Sequence, residues 1–463
     1  MDTLIETFKA RLGEGGVLCG ADAADKAQGL GGRFGKPLAV LRPATTDDVS
    51  FILRACNARK TPVVPWGGKT GLVAGASADG QLALSLERMN KIEEIDPVGA
   101  TMTVEAGAVL QTVCEAADAA DLLFPLDLGA RGSATIGGNI STNAGGNRVI
   151  RYGMTRDLVL GIEAVLADGT VLSSLNRLIK NNAGYDLKQL FIGSEGTLGV
   201  VTRAVLRLVP KPSSQNTAFV AVECFDLLPR LLGRMKRELG GTLSAFEVMW
   251  EDFYSLVTTA PAKGSAPLTP GHPYYVLIEA MGGDQASDSE RFEKVLAAAL
   301  ESGEVCDAVI AKSQAEVERM WALRDDVRQV GRNAPICVFD VSLAIPDMES
   351  YVAELRAALN ARWSAPSLIV FGHLGDGNLH VIAGVGDGSA EARHAVEEIV
   401  YGALRARNGS VSAEHGIGIE KRAYLDWTRG AEEIALMKTL KRALDPNNIL
   451  NPGKIFSLTD AMA

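Results

Sequence analysis

The sequence contains no apolar run near the ~20 residues that a membrane-spanning helix requires, so nothing in it reads as a span. It has no basic excess. Against 56 Asp and Glu stand 46 Lys and Arg, a formal net charge of −10, whereas a nucleic-acid partner would call for a positive face. The six cysteines (Cys19, Cys56, Cys114, Cys224, Cys306 and Cys337) lie far apart, with no C-x-x-C pair. They read as buried thiols of a reducing compartment rather than a disulfide or zinc framework. There is no internal repeat and no low-complexity tract. The opening MDTLIETFKARLG has helical amphipathicity but not the basic start and apolar centre of a secretory signal, so a cytoplasmic protein is expected.

What is present is a globular composition: 463 residues, 47% hydrophobic and 22% charged, long enough for roughly three domain equivalents. Glycine is abundant, and it is concentrated. Between Arg131 and Asn147, twelve of seventeen residues are Gly, Ser, Thr or Asn. So polar a segment cannot drive its own burial, yet Ile136, Ile140 and Val149 are interleaved as anchors, which a flexible linker would not need. Its glycines let the backbone approach a ligand, and its N–H groups and neutral side chains suit a phosphate-bearing cofactor. A second Gly-rich loop, 67–75, contains GGKTG, but a nucleoside-triphosphate loop would need glycine where Val63 stands. A third lies in FIGSEGTLG.

The chain opens with a helical and then Gly-rich segment, 1–35, ending in GLGGRFG. A helix over Thr46–Lys60, capped by Thr46 or Asp47, is followed by strands at Leu82–Leu86 and Thr101–Glu105. Another strand, at Gly161–Leu166, turns through Ala167-Asp168-Gly169, and the run to Val209 alternates at Val201, Ala204 and Leu206. Pro210-Lys211-Pro212 marks a boundary. Beyond it, strands and helices alternate as an α/β unit with an antiparallel sheet; Thr259–Pro273 reads as a disordered loop or a lid. Helices dominate the end. The expected divisions are 1–35, 36–212, 213–405 and 406–463.

Only five histidines occur, and three sit among glycines: His373 and His380 in GHLGDGNLH, and His415 in SAEHGIGIEK. Two imidazoles with Glu414 make three protein ligands and an open position, the pattern of a catalytic site for zinc, manganese, iron or cobalt. His415 directly follows Glu414, so in extended backbone the two side chains diverge and one is free for acid–base work. His272 and His394 read as ordinary surface or packing residues.

The segments PWGGKTGLVAGA, PLDLGARGSATIGGNISTNAGGN, GIEAVLADGTV, KNNAGYDLKQLFIGSEGTLGVV, FGHLGDGNLH, SAEHGIGIEK and NPGKIF occur in this order. Together they resemble FAD-linked D-2-hydroxy-acid dehydrogenases of the vanillyl-alcohol oxidase/p-cresol methylhydroxylase class. The likeness implies an α+β fold: a two-subdomain FAD-binding domain, an antiparallel-sheet α/β substrate domain and a helical C-terminal part. It implies noncovalent FAD, since 65–77 holds no His or Cys to tether it. By resemblance, the cofactor is held by Pro65, Gly67, Gly68, Lys69, Thr70, Gly71 and Leu72. Pro125, Leu126, Asp127, Gly132, Ser133, Thr135, Gly137, Gly138 and Asn139 continue that site, with Ser141, Thr142, Asn143, Ala144 and Gly145. Ile162, Glu195, Gly196, Gly199, Val200 and Asn451 complete it.

The same resemblance gives His373, His380 and Glu414 to a divalent metal, zinc first, His415 to the base, and Arg324 to the substrate carboxylate. It also implies a homodimer that passes electrons to an electron-transfer flavoprotein, a quinone or a cytochrome. The D-2-hydroxyglutarate branch has threonine at Arg328, lysine at Val338 and asparagine at Ile382 to receive a distal carboxylate. With valine and isoleucine there, D-lactate or a small apolar D-2-hydroxy acid is the expected substrate. D-2-hydroxyglutarate and D-malate are the alternatives, because Arg328, one helical turn from Arg324, would offer a second cation. From another class, a flavin-free metal-dependent hydrolase would use the same His/Glu site.

Overall fold

Apolar strands too short to fold alone are gathered into separate sheets by the helices between them. In the computed structural model, which describes residues 1–29 and 32–458, the chain forms two units. One comprises Met1–Gly146, Gly153–Lys211 and Glu414–Ala463, the other Asn147–Tyr152 and Pro212–Ala413. Leu30 and Gly31 of GLGGRFG, and the last five residues, lie outside the described residues.

The first unit holds a four-stranded sheet in the order Val17–Leu18, Ala39–Leu41, Leu82–Ser85, Val63–Trp66, in which the last three strands run parallel. It also holds a five-stranded antiparallel sheet, ordered Val171–Ser174, Val159–Val165, Val200–Arg207, Thr101–Glu105, Ile92–Asp96. The helix Thr46–Ala58 is capped one residue earlier than expected, by Thr45, whose Oγ1 accepts from Asp48 N at 3.1 Å. The expected alternation of Val200–Arg207 gives way to burial on both faces, because the helix Ile136–Thr142 packs against it. Ile136 and Ile140 are buried anchors, but Val149 is not; it lies in a short helix of the other unit with no buried residue.

In the second unit seven antiparallel strands lie in the order Asp307–Ile310, Ser214–Val222, Tyr274–Gly282, Leu243–Trp250, Ser367–His373, Asn378–Gly384, Ile336–Ser342. The two central strands, Tyr274–Gly282 and Leu243–Trp250, are buried along their whole length. Both faces are therefore covered, which is why these strands read as continuous apolar runs. Thr259–Pro273 is neither disordered nor a loose lid. Leu268 is buried, and Tyr254 Oη donates to its carbonyl at 2.7 Å and accepts from its N–H at 3.0 Å. Tyr275 Oη likewise donates to Thr269 O at 2.7 Å and accepts from His272 N at 3.1 Å. The cysteines also depart from expectation: Cys56 is buried, but Cys19, Cys224 and Cys306 are exposed.

Tyr254→Phe should release this loop. It leaves the Leu268 N–H and C=O without their partner at a cost of about 1–3 kcal/mol. The urea midpoint should fall, and protease cleavage within 259–273 should accelerate. Cleavage at the wild-type rate would show that the phenol does not pin the loop.

Candidate active site

Strand register decides which side chains of the second unit share a face, since residues directly opposite one another project the same way. Glu247 pairs with His373, Phe371 with His380, His380 with Asp340, and Ile382 with Val338. Glu279 lies on the neighbouring strand opposite Ala245. One face of a largely apolar sheet thus carries three carboxylates and two imidazoles. His373 and His380 have ring centroids 5.4 Å apart. Their ligating atoms approach within 4.8 Å, as do those of His380 and Asp340.

Glu247 organises this cluster. Its Oε1 accepts from His373 Nδ1 at 2.8 Å and its Oε2 from Arg324 Nε at 2.8 Å. Burial alone would push its carboxyl up, but the facing His373 and Arg324 hold it below the usual carboxylate range. With Nδ1 bound to Glu247, His373 is left with Nε2, which Arg324 Nη2 now meets at 3.3 Å. Arg324 is only 4% exposed, not the surface helix charge its sequence context suggests, and its guanidinium lies 5.1 Å from the Phe371 ring centroid. Glu279, the neighbouring buried acid, is neutralised by Arg148 at 3.0 Å and accepts further bonds from Gln215, Ser244 and Trp321.

Arg328 is not one turn along the same helix as Arg324. That helix ends at Asp325, and Arg328 is exposed on the 3-10 segment Val327–Asn333. Ile382 is 2% exposed and belongs to the cluster of Phe253, Tyr254 and Phe371, whereas Val338 on the edge strand is 51% exposed. Asp340 was not expected from the sequence. It is buried, and its Oδ2 accepts from Ala413 N at 3.1 Å, which fixes the residue immediately before Glu414.

In the first unit the glycine-rich loops pack on each other. A Cβ at Gly68 would sit 1.9 Å from Ser133 O, so backbone contact requires glycine there; Gly71 and Gly132 instead border open space. The central polar stretch is not all loop, because Ile136–Thr142 is helical and ends at Asn143 in the left-handed region. Several groups assigned to the cofactor are already bonded within the protein. Ser141 and Thr142 hydroxyls donate to the carbonyls of Gly137 and Gly138, and Asn143 Oδ1 accepts from Arg156 N. By contrast, Thr135 Oγ1, Asn139 Nδ2 and Asn451 Oδ1 are buried without a protein partner. Orphaned buried donors and acceptors such as these fit a polar cofactor better than a closed core.

Glu195, with φ of 51°, turns inward to accept from Ile417 N at 2.7 Å and Gly418 N at 2.8 Å, two and three residues beyond His415. Burial pushes its carboxyl up, opposed by these N–H groups and by Lys421 and Lys454. Asn451 Nδ2 donates to Gly75 O and Glu195 O. Behind it, Lys441, 2% exposed, donates to Thr197 O at 2.9 Å, Leu450 O at 2.7 Å and Asp445 Oδ2 at 2.5 Å.

Two family models match the chain, an FAD binding domain over residues 37–174 and the C-terminal domain of FAD linked oxidases over residues 211–455. The chain belongs to the FAD-linked oxidase family. It is an FAD-dependent oxidoreductase, and the flavin-free hydrolase alternative falls with that assignment. Among its relatives, a D-2-hydroxyglutarate dehydrogenase of Xanthomonas citri pv. viticola is 42% identical, covering 92% of this chain and 90% of the relative. The mitochondrial D-2-hydroxyglutarate dehydrogenase of Arabidopsis thaliana is 40% identical, covering 90% of this chain and 74% of the relative. A D-2-hydroxyglutarate–pyruvate transhydrogenase of Saccharomyces cerevisiae is 39% identical, covering 90% and 86%. The expected fold is borne out. A substrate-bound p-cresol methylhydroxylase superposes with a TM-score of 0.80 at 18% identity, covering 100% of this chain and 98% of that one.

The Lys441 node predicts a measurable phenotype. Lys441→Met leaves the Asp445 carboxylate buried without its cation, a loss of about 3–5 kcal/mol. Because the node anchors Leu450 beside Asn451, FAD content per chain should drop along with the melting temperature. A variant that melts earlier yet keeps full FAD would confine the node to stability.

Proposed function

We propose that this chain oxidises D-2-hydroxyglutarate to the 2-oxo acid. The observation that carries the reading is the 39–42% identity, over most of both chains, to relatives named for that substrate. The case for D-lactate rested on Val338 and Ile382 lining an apolar pocket. Packing in the aromatic cluster accounts for Ile382 without a ligand, and Val338 is half-exposed. Arg328, exposed four residues after Arg324, is a cation available to a distal carboxylate. The Val338–Ile382 pairing favours one second reading, a small apolar D-2-hydroxy acid such as D-lactate.

Arg324 receives the carboxylate next to the reacting carbon, its planar fork held ready by Glu247. His415 takes the hydroxyl proton at a ring nitrogen. FAD, held noncovalently by the loops around Thr135, Asn139 and Asn451, supplies the acceptor for the hydride lost from Cα. The donor set also suits a divalent cation on His373 Nε2, His380 and Glu414, zinc first, and such an ion would lower the pKa of the substrate hydroxyl. Glu247 supports that assignment, because its bond to Nδ1 leaves Nε2 as the ligating atom of His373. The reduced enzyme passes its electrons to a carrier protein or quinone, and the chain acts as a homodimer.

The test is a panel of D- and L-2-hydroxy acids with an artificial electron acceptor. D-2-hydroxyglutarate should give the highest kcat/KM; a preference for D-lactate and D-2-hydroxybutyrate would move the assignment to the second reading. Glu247→Gln should weaken Zn²⁺ binding by roughly 10–100-fold and raise KM, with FAD content unchanged. Wild-type Zn²⁺ affinity and KM in that variant would remove Glu247 from the site.

A further inference from the structure

A second group of convergent donors lies elsewhere on the sheet, where the strand Ser214–Val222 runs out and Asp307–Ile310 begins beside it. Glu223 follows the first strand, Cys306 precedes the second, and His272 comes from the loop that Tyr254 and Tyr275 pin. The antiparallel pairing that ends at Ala221 and Asp307 brings these two strand ends together. His272 Nδ1 meets Glu223 Oε1 at 2.7 Å and Cys306 Sγ at 3.5 Å. All three ligand atoms lie within 4.8 Å of one another.

We propose that Glu223, His272 and Cys306 form a second divalent-metal site of zinc type, a clasp between the 259–273 loop and the sheet edge.

Several observations carry this. The donors are one thiol, one imidazole and one carboxylate, the softer mixture that selects zinc over magnesium or calcium. Zinc bonds of ~2.0–2.3 Å in tetrahedral geometry set donor separations of roughly 3.3–3.6 Å; the Cys306–His272 separation of 3.5 Å already fits, and the His272–Glu223 hydrogen bond of 2.7 Å opens to admit the ion. The triangle is preorganised, since the His272 backbone is bonded to Tyr275 Oη and its ring stands edge-on to the Tyr275 ring. Glu223 and Cys306 are exposed and His272 partly so, which leaves an entry path and a fourth position for water.

Charge agrees. Binding releases the thiol proton, so Zn²⁺ with thiolate, neutral imidazole and carboxylate is neutral overall, and Asp307 adds a nearby negative charge. The site therefore carries its own charge balance. It has no part in the reaction proposed above, because none of its residues belongs to the His373 cluster.

The test uses FAD-loaded protein. Co²⁺ titrated into wild type, read as a difference spectrum, should give a thiolate-to-cobalt charge-transfer band; the His373, His380 and Glu414 set has no sulfur and cannot produce one. Cys306→Ser should abolish the band, and after Zn²⁺ equilibration it should retain one zinc fewer per chain than wild type by elemental analysis. Zinc affinity should fall by at least about tenfold for each pH unit the solution is made more acidic, because binding releases the thiol proton. Saturating Zn²⁺ should slow cleavage within 259–273 in wild type but not in His272→Ala, with dehydrogenase activity unchanged in both variants. No sulfur-to-cobalt band in wild type, or equal zinc in wild type and Cys306→Ser, overturns the proposal.

Discussion

A carboxylate taken out of water must find its counter-charge on the next strand or on the helix packed above it, and the second unit is built around two that do. Glu247 and Glu279 sit on adjacent strands of one sheet face with almost no exposure. Each costs several kcal/mol to desolvate, so each dictates its surroundings. Glu279 needs Arg148, Gln215, Ser244 and Trp321. Glu247 needs Arg324 and His373. Moving either strand by one residue would turn a charge to the opposite face and leave its partner unpaired. Register is thus fixed by charge as well as by apolar packing, and the geometry of the site follows from that register.

Much of the candidate site is legible in the sequence because glycine and histidine are conspicuous. His373, His380, Glu414 and His415 declare themselves by rarity and by their small neighbours. Glu247 does not. In LSAFEVMW it reads as the solvent-facing position of a half-buried strand, and only the sheet's second covered face shows otherwise. Asp340 was hidden in the same way within ICVFDVS. The available signal was a single acid inside an apolar run, which a covered sheet can tolerate only if the acid is paired. Arg324 was recognised by family resemblance and not by pattern, since its helix shows no clear apolar face in sequence.

The fold was read more securely than its joints. Most helices and strands fell within a few residues of their expected ends, because hydrophobic period and capping are local properties. What failed was tertiary. The helix bearing Arg324 stops at Asp325, so the turn-to-turn relation with Arg328 does not exist. The Pro- and Gly-rich loop 259–273 is held by two tyrosines that sequence places only in a helix and a strand. Composition made that loop look free; two phenols, each bonded to backbone on both sides, outweigh composition.

The polar stretch around 131–147 also divides in a way composition cannot foresee. Its hydroxyls at Ser141 and Thr142 turn back on their own helix, and Gly68 is demanded by Ser133 rather than by a ligand. A residue that satisfies its own backbone offers little to a cofactor, whereas one left buried and unpaired carries a standing cost until something binds. By that measure Thr135 Oγ1, Asn139 Nδ2 and Asn451 Oδ1 are the atoms that a bound polar ligand would relieve most. The recognisable motif and the unsatisfied groups therefore overlap only in part: glycine marks where the backbone must pass, and the unpaired amide and hydroxyl mark where a polar ligand would be satisfied.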